Sequence, residues 1–381
     1  MQGPQKSILI RIAILFLLSR IMLEIIGILS MFYFPPASAI SKIRDFSYHQ
    51  RQTSLLEMWI HWDSEWYLLV ADHGYNSYEY FKDFGGGKYI PQDTAKYLPA
   101  YPIAIRILSK VIPNSAFCGF LISNLSALIF FFYIWRLGQK LFDSDSGERT
   151  AWFYVVYPAA FFLSAVYPEA LFLAALAAAF YYVEDKRLPL AIAACIVAVL
   201  CRNQAAFAIP ALVWRTWECF REKRIQSAAL IGIAGILPFA FYLLIVDQTF
   251  GSFRWFFESQ RHLRGEMQYP LYAFVRFFTN PIAIHGQHNS LIDFSFAILH
   301  LGVLIASFKK IPAPYWLYSA LCILFPLSST LFSFTRLCLA NLPFFLFVGK
   351  YSEKSLRYLM IPALLLQAFF MAAFANGYWV G

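Results

Sequence analysis

The sequence predicts an all-α, polytopic membrane protein, and three observations predict it. Of 381 residues, 60% are hydrophobic and 19% aromatic, while only 14% are charged. A soluble domain carries roughly a quarter charged residues and less than half apolar ones. Several apolar runs approach or exceed the roughly 20 residues that cross a bilayer as a helix. Between the runs, Lys and Arg gather in alternate short breaks, as they do on the cytoplasmic side of membrane proteins.

Taken in order, Ile8–Phe34 reads as an anchored first span. It is too long for a signal-peptide core and lacks a small-residue cleavage site. A polar stretch, 35–97, follows. Leu98–Ile112 is apolar but holds Pro99, Pro102, Arg106 and Lys110, so it is expected to lie in the interface or cross only in part. Spans are then expected at Ala116–Leu137, Thr150–Val166, Ala170–Val183, Leu188–Leu200, Ala205–Trp214 and Ala228–Val246. After a second polar stretch, 249–290, come Leu291–Phe308, Tyr315–Leu331, Leu337–Val348 and Leu356–Phe374. The whole reads as one integral-membrane domain, 1–381, of about 10–12 spans.

Orientation follows from the short loops. Lys6, Arg11, Arg136, Lys140, Lys186, Arg187, Arg215, Arg221, Lys223, Arg224, Lys309, Lys310, Lys350, Lys354 and Arg357 fall on one side if Leu98–Ile112 does not cross. The positive-inside rule makes that side cytoplasmic and puts both long polar stretches outside. The net charge of +9 is accounted for by these loops and by anionic lipid; no nucleic-acid partner is expected. The Cys residues have no metal or disulfide spacing; Cys118, Cys195, Cys201, Cys322 and Cys338 lie in or at apolar runs and Cys219 in a basic loop. No metal-ligand spacing appears among the acidic residues, and no internal repeat is found. "FGGGKY", Phe84–Tyr89, lacks the spacing of a nucleotide-phosphate loop.

Four polar breaks land on the outer face. "HWDSEWYLLVADHGY", His61–Tyr75, has helical spacing from about Ser64, with Trp62, Trp66, Leu69 and His73 on one face. Its Trp and Tyr suit headgroup level, so an amphipathic surface helix is expected, stopping at Gly74. Asp63 and Glu65, two apart, point to different sides of a helix. Either is a candidate general base, and Asp63 has the alternative role of an N-cap. "YPAAFFLSAVYPEALF", Tyr157–Phe172, sets Glu169 between apolar runs, as a site residue or a first-turn carboxylate. "LCRNQAA" interrupts an apolar run with Arg202, and a fourth break places Arg336 at a helix end; both are phosphate candidates or snorkelling cations. Arg254, Arg261, His262, Arg264 and Arg276 cluster in 249–290. Ionisable residues at membrane depth are functional hypotheses by default.

"WDSEWYLLVADHGY", "KYLPAYP" (Lys96–Pro102), "YPAAFFLSAVYPEALF" and "LCRNQ", in this order, resemble the PIG-V family of GPI mannosyltransferase 2-type enzymes and their prokaryotic relatives. The sequence departs from the family's pattern in "YLPAYP" and "YPE". The resemblance implies a GT-C fold glycosyltransferase that takes mannose from a polyprenyl-phosphate-mannose donor, without a cofactor. It implies work on the non-cytoplasmic face of the plasma membrane in a prokaryote, or of the endoplasmic reticulum in a eukaryote. Asp63 is its catalytic candidate. Glu65, Tyr67, His73, Tyr167, Glu169, Arg202, Asn203 and Arg336 are candidates for substrate binding. Arg202, Arg261, Arg264 and Arg336 are candidates for the lipid phosphate. The expected partners are membrane lipid, the lipid-linked sugar and a glycan, glycolipid or protein acceptor. A lipid-linked-sugar flippase without chemistry, or transfer of another sugar, stays open.

Overall fold

The computed structural model describes residues 3–37, 54–75, 90–284, 286, 288–351 and 353–380. The glycine-rich segment Phe84–Tyr89 lies outside them. Among the described residues there is no strand, and helices carry the fold. In chain order, those of eight residues or more are α1 (Gly3–Tyr33), α2 (Asp63–His73), α3 (Ala100–Ser109), α4 (Ser115–Leu141), α5 (Ser144–Val156), α6 (Glu169–Glu184), α7 (Leu188–Cys201) and α8 (Ile209–Cys219). Then come α9 (Arg224–Phe250), α10 (Arg254–Arg264), α11 (Tyr272–Thr279), α12 (Leu291–Ser307), α13 (Ala313–Leu324), α14 (Leu342–Gly349) and α15 (Glu353–Ala375).

Four of these, α1, α4, α9 and α15, are long and apolar enough to cross a membrane. At 27 residues, α4 and α9 each rise about 40 Å, more than the roughly 30 Å hydrocarbon layer. On α1, Ile14, Leu17, Leu18, Ile21, Ile25 and Leu29 are exposed, while Ile12, Phe16, Ser19 and Leu23 are buried. An exposed face this apolar suits lipid and not water.

Several expected spans are shorter, for a local reason. Thr150–Val166 is not one helix: α5 ends at Val156 and a 3₁₀ segment, Pro158–Leu163, follows. Tyr315–Leu331 breaks after Leu324 at Pro326, and Leu337–Val348 breaks ahead of Pro343. Proline lacks the N–H that a helix interior needs. Such broken backbone is tolerated at membrane depth only where protein satisfies it. Arg20 of α1 does this, donating from Nη1 to the carbonyl of Ala160 (3.1 Å) and to Ser164 Oγ (3.2 Å).

The core centres on α4, α5, α6 and α14, where Phe130, Trp135, Tyr154, Phe180 and Phe345 are fully buried. A Cβ on Gly138 of α4 would stand 2.7 Å from the Cα of Gly147 on α5, so glycine is what lets these two helices touch. One end of the bundle is basic. There Arg11 pairs with Glu148, Lys140 with Asp185, and Arg215 with Glu184. Glu184 closes α6. Glu169 opens it, roughly 22 Å away along the axis at 1.5 Å per residue.

Candidate active site

At the Glu169 end of α6, four distant pieces of chain bring their charges together. Glu169 Oε1 accepts from Arg202 Nη1 and from Arg336 Nε, each at 2.5 Å. Arg336 Nη1 donates to Asp63 Oδ2 at 2.9 Å. Arg336 and Glu169 are buried, with side chains 5% and 4% exposed, whereas Asp63 keeps 29%. The carboxylate of Asp63 is therefore the most exposed member of the cluster.

The turn that presents Asp63 is unusual. His61 carbonyl accepts from Ser64 N–H (3.3 Å), and Trp62 sits at φ 59°, ψ −114°. This is the first central position of a type II′ turn, which normally takes glycine. A bulky residue there is strained by roughly 1–3 kcal/mol and persists only where its surroundings hold it. Tyr167 supplies the hold: its hydroxyl accepts from Asp63 N–H (3.1 Å) and donates to the His61 carbonyl (2.8 Å). Its ring also lies under the Arg336 guanidinium, 4.6 Å away. Tyr167 thus shapes the site through the turn.

Two expectations about this stretch are corrected. The cap position of α2 is Trp62, without a side-chain cap. The Asp63 side chain turns instead to Arg336 and to Tyr97, whose hydroxyl donates at 3.2 Å; a guanidinium in a dry site outcompetes a backbone N–H. Nor is α2 a surface helix: Ser64–Ala71 are buried. Its aromatic side chains pack on other rings, Trp66 stacking on Tyr97 and Tyr67 meeting Tyr97 and Tyr101 edge-on. Gly74 does end α2, and Arg106 of α3 caps its last turn through the carbonyls of Ala71 and Val70.

Of the other candidates, Glu65 is buried in α2, on a different side from Asp63. His73 is exposed at the end of α2 and Asn203 is exposed at the start of the 3₁₀ segment Asn203–Phe207. Arg202 is no snorkelling cation; its Nε donates to Gln204, which in turn holds the Leu337 carbonyl. Arg261 stands apart, more than half exposed and paired with Glu258 and Glu266. Arg264 joins the cluster's edge, donating to the Phe332 carbonyl at 3.1 Å.

Sequence reasoning missed Lys96, Tyr97, Gln204 and Trp379. Lys96 Nζ lies over the rings of Tyr97 (5.5 Å) and Trp66 (6.0 Å). Neither Lys96 nor Arg264 forms an ion pair among the described residues. Burial lowers the Lys96 pKa, with Arg264 adding to it, while Asp93 and Asp63 oppose. Burial, helped by Arg202 and Arg336, brings Arg264 down to about 10. For Asp63, burial works against the charge, but Arg336, with Lys96 and Arg202 behind it, holds the carboxyl below its usual range. Burial, then the Asp63 charge, pushes the Tyr97 phenol well up, so it stays a donor.

A helical bundle with lipid-length spans and a buried charged cluster at one end is the architecture of an integral membrane protein. The family model described as mannosyltransferase (PIG-V) matches residues 5–237, more than half of the chain. The chain belongs to this family. The match includes Asp63, Lys96, Tyr167, Glu169 and Arg202 and stops before Arg264, Arg336 and Trp379. No curated protein matches the chain. Among solved structures, an oligosaccharyltransferase of Archaeoglobus fulgidus tethered to an acceptor peptide is similar at a TM-score of 0.40 and 9% identity. The similarity covers 85% of this chain and 51% of that one, so the chain spans about half of that protein's length.

Proposed function

We propose that the protein moves a mannosyl group from a polyprenyl-phosphate-mannose donor to an acceptor hydroxyl on the non-cytoplasmic face, with Asp63 as general base. The observation that carries this reading is the Asp63–Arg336–Glu169–Arg202 chain of contacts, flanked by two cations, Lys96 and Arg264, that have no ion-pair partner among the described residues. The acceptor oxygen bonds to the anomeric carbon as the bond from that carbon to the phosphate oxygen breaks. The proton passes to Asp63, and the polyprenyl phosphate leaves with the electron pair. Each Asp63 oxygen accepts one hydrogen bond, from Tyr97 or Arg336, and keeps a lone pair for that proton.

The leaving phosphate needs positive charge that is not already spent. Arg202 and Arg336 are engaged with carboxylates; among the described residues, Lys96 and Arg264 are not. The latter two, with the guanidiniums behind them, offer preorganised stabilisation of the developing charge, often the largest single catalytic contribution. The face rests on the basic short loops at the other end of the bundle.

The test is direct. Purified protein is incubated with polyprenyl-phosphate-mannose and candidate acceptors, and products are read by mass spectrometry. A mannosylated product that Asp63→Asn fails to make supports the reading. Movement of intact lipid-linked sugar across vesicles, with no product, would replace it with transport.

A further inference from the structure

Neither proton transfer nor phosphate binding uses the aromatic wall beside Asp63. Trp62 and Trp379 meet edge to face, their ring centroids 5.5 Å apart. Trp379 stacks on Phe332 at 5.5 Å and 16°, and the Arg336 guanidinium lies 5.6 Å from its ring centre. The stretch after α15 is fixed in place: Asn376 donates to Ser30 Oγ (3.0 Å), and Ala37 N–H to the Asn376 carbonyl (2.9 Å).

Both indole N–H groups are buried and have no acceptor among the described residues. Buried donors are nearly always paired, and each exception asks for a reason. An acceptor is spare as well. Glu169 Oε1 takes both guanidinium contacts, and Oε2 has no hydrogen-bond partner among the described residues. The strained backbone at Trp62 is a further sign, since such strain collects where a ligand is held. Two indole rings with unpaired N–H donors, linked through Arg336 to a carboxylate with a spare oxygen, suit one chemical class: a ring with C–H bonds on its face and hydroxyls around its rim.

We propose that Trp62 and Trp379 form a platform for a pyranose ring at the Asp63 site. The ring's C–H face rests on indole, and its hydroxyls accept from the two N–H groups and donate to Glu169. The ring belongs either to the donor's sugar or to a sugar acceptor. The inference deepens the glycosyl-transfer reading but is tested by binding alone.

The experiment uses the full chain in detergent, its Trp379→Leu and Trp379→Phe variants, and three probes: farnesyl-phosphate-mannose, farnesyl phosphate, and methyl α-mannopyranoside added with farnesyl phosphate. In the wild type, the mannosyl group is expected to tighten binding in the first arm, or the free mannoside to bind in the third. Trp379→Leu should weaken that sugar-dependent binding about tenfold, and Trp379→Phe, which keeps a ring face but not the N–H, about fivefold, the scale of a net hydrogen bond. Farnesyl phosphate alone should bind all three proteins equally. Loss in the first arm assigns the platform to the donor sugar, and loss in the third to the acceptor. Sugar-dependent binding that is absent from the wild type, or unchanged in both variants, overturns the platform. So does loss of farnesyl phosphate binding in Trp379→Phe, which would mark Trp379 as structural. Sugar binding with no product in any turnover assay would count against transfer and leave the platform standing.

Discussion

Asp63 has two oxygens, held by Arg336 and Tyr97, and the proposed mechanism adds a third claim, the proton to be removed. Asp63→Asn keeps the size of the side chain but cannot take that proton, so kcat should fall by about 10²-fold or more at matched expression. Glu65→Gln, on another side of α2, should cost far less; the reverse order of effects would move the base to Glu65. The pH dependence follows from the depressed Asp63 pKa. A carboxyl whose folded pKa lies below the unfolded value contributes stability above the unfolded value, near 3.9, and loses it as pH falls through the folded one. The acid limb assigned to Asp63 in a pH–rate profile should therefore lie below the ordinary carboxylate range, with no Asp63 titration between about pH 5 and 8. Glu169 is the more dangerous residue to change. Glu169→Gln removes the one charge that both Arg202 and Arg336 share. Breaking a buried pair is typically worth about 3–5 kcal/mol, so thermal unfolding in detergent should drop well below that of Asp63→Asn. Glu169, Arg202 and Arg336 were legible because each lies in or at the end of an apolar run, and Asp63 because it stands in the Trp- and Tyr-rich stretch His61–Tyr75. Lys96, Tyr97 and Trp379 were not, since Tyr and Trp are common throughout this chain and only packing tells one ring from another.

Among the elements, the turn ahead of α2 depends on a side chain a hundred residues away. Tyr167→Phe deletes both hydrogen bonds that pin the His61–Ser64 turn. The expected result is a fall in kcat of about 10-fold, since two bonds of roughly 1 kcal/mol each no longer hold the strained turn, with donor KM little changed. A donor KM that rises while kcat holds would instead make Tyr167 a binding residue. A second test is helix contact. Gly147→Ala would drive a methyl group into the backbone at Trp135 and against Gln139. Its detergent-solubilised Tm should fall by several degrees, as overpacking of about 1–3 kcal/mol implies. The spans of α1, α4, α9 and α15 could be read from hydropathy, with ends within a few residues. The 3₁₀ breaks were harder: proline marked them, but whether a broken segment stays inside the bundle depends on partners such as Arg20, which a linear pattern does not reveal. The same blindness made α2 look like a surface helix, because a Trp- and Tyr-rich face suits either headgroups or other rings.

For the whole molecule, the two ends of α6 separate two kinds of charge, and the orientation can be measured. Met267 is exposed beyond α10, and Glu222 lies in the exposed loop before α9. In a Cys219→Ser background, Met267→Cys in intact cells should react with an impermeant maleimide, and Glu222→Cys only after permeabilisation. The opposite pattern would put the Asp63 site in the cytoplasm and remove the polyprenyl-phosphate reading with it.

The shared carboxylate of Glu169 also sets an order of events during synthesis. Arg202 follows Glu169 by 33 residues, but Arg336 follows it by 167 and Asp63 by 273. As the chain leaves the ribosome, Glu169 can meet Arg202 soon after α7 emerges. Asp63 must wait for its cation until nearly the entire polypeptide has been made. A nascent chain halted before residue 336 would hold the Glu169–Arg202 pair and leave the Asp63 carboxylate without its guanidinium. The Asp63 site is thus completed only by the last third of the chain.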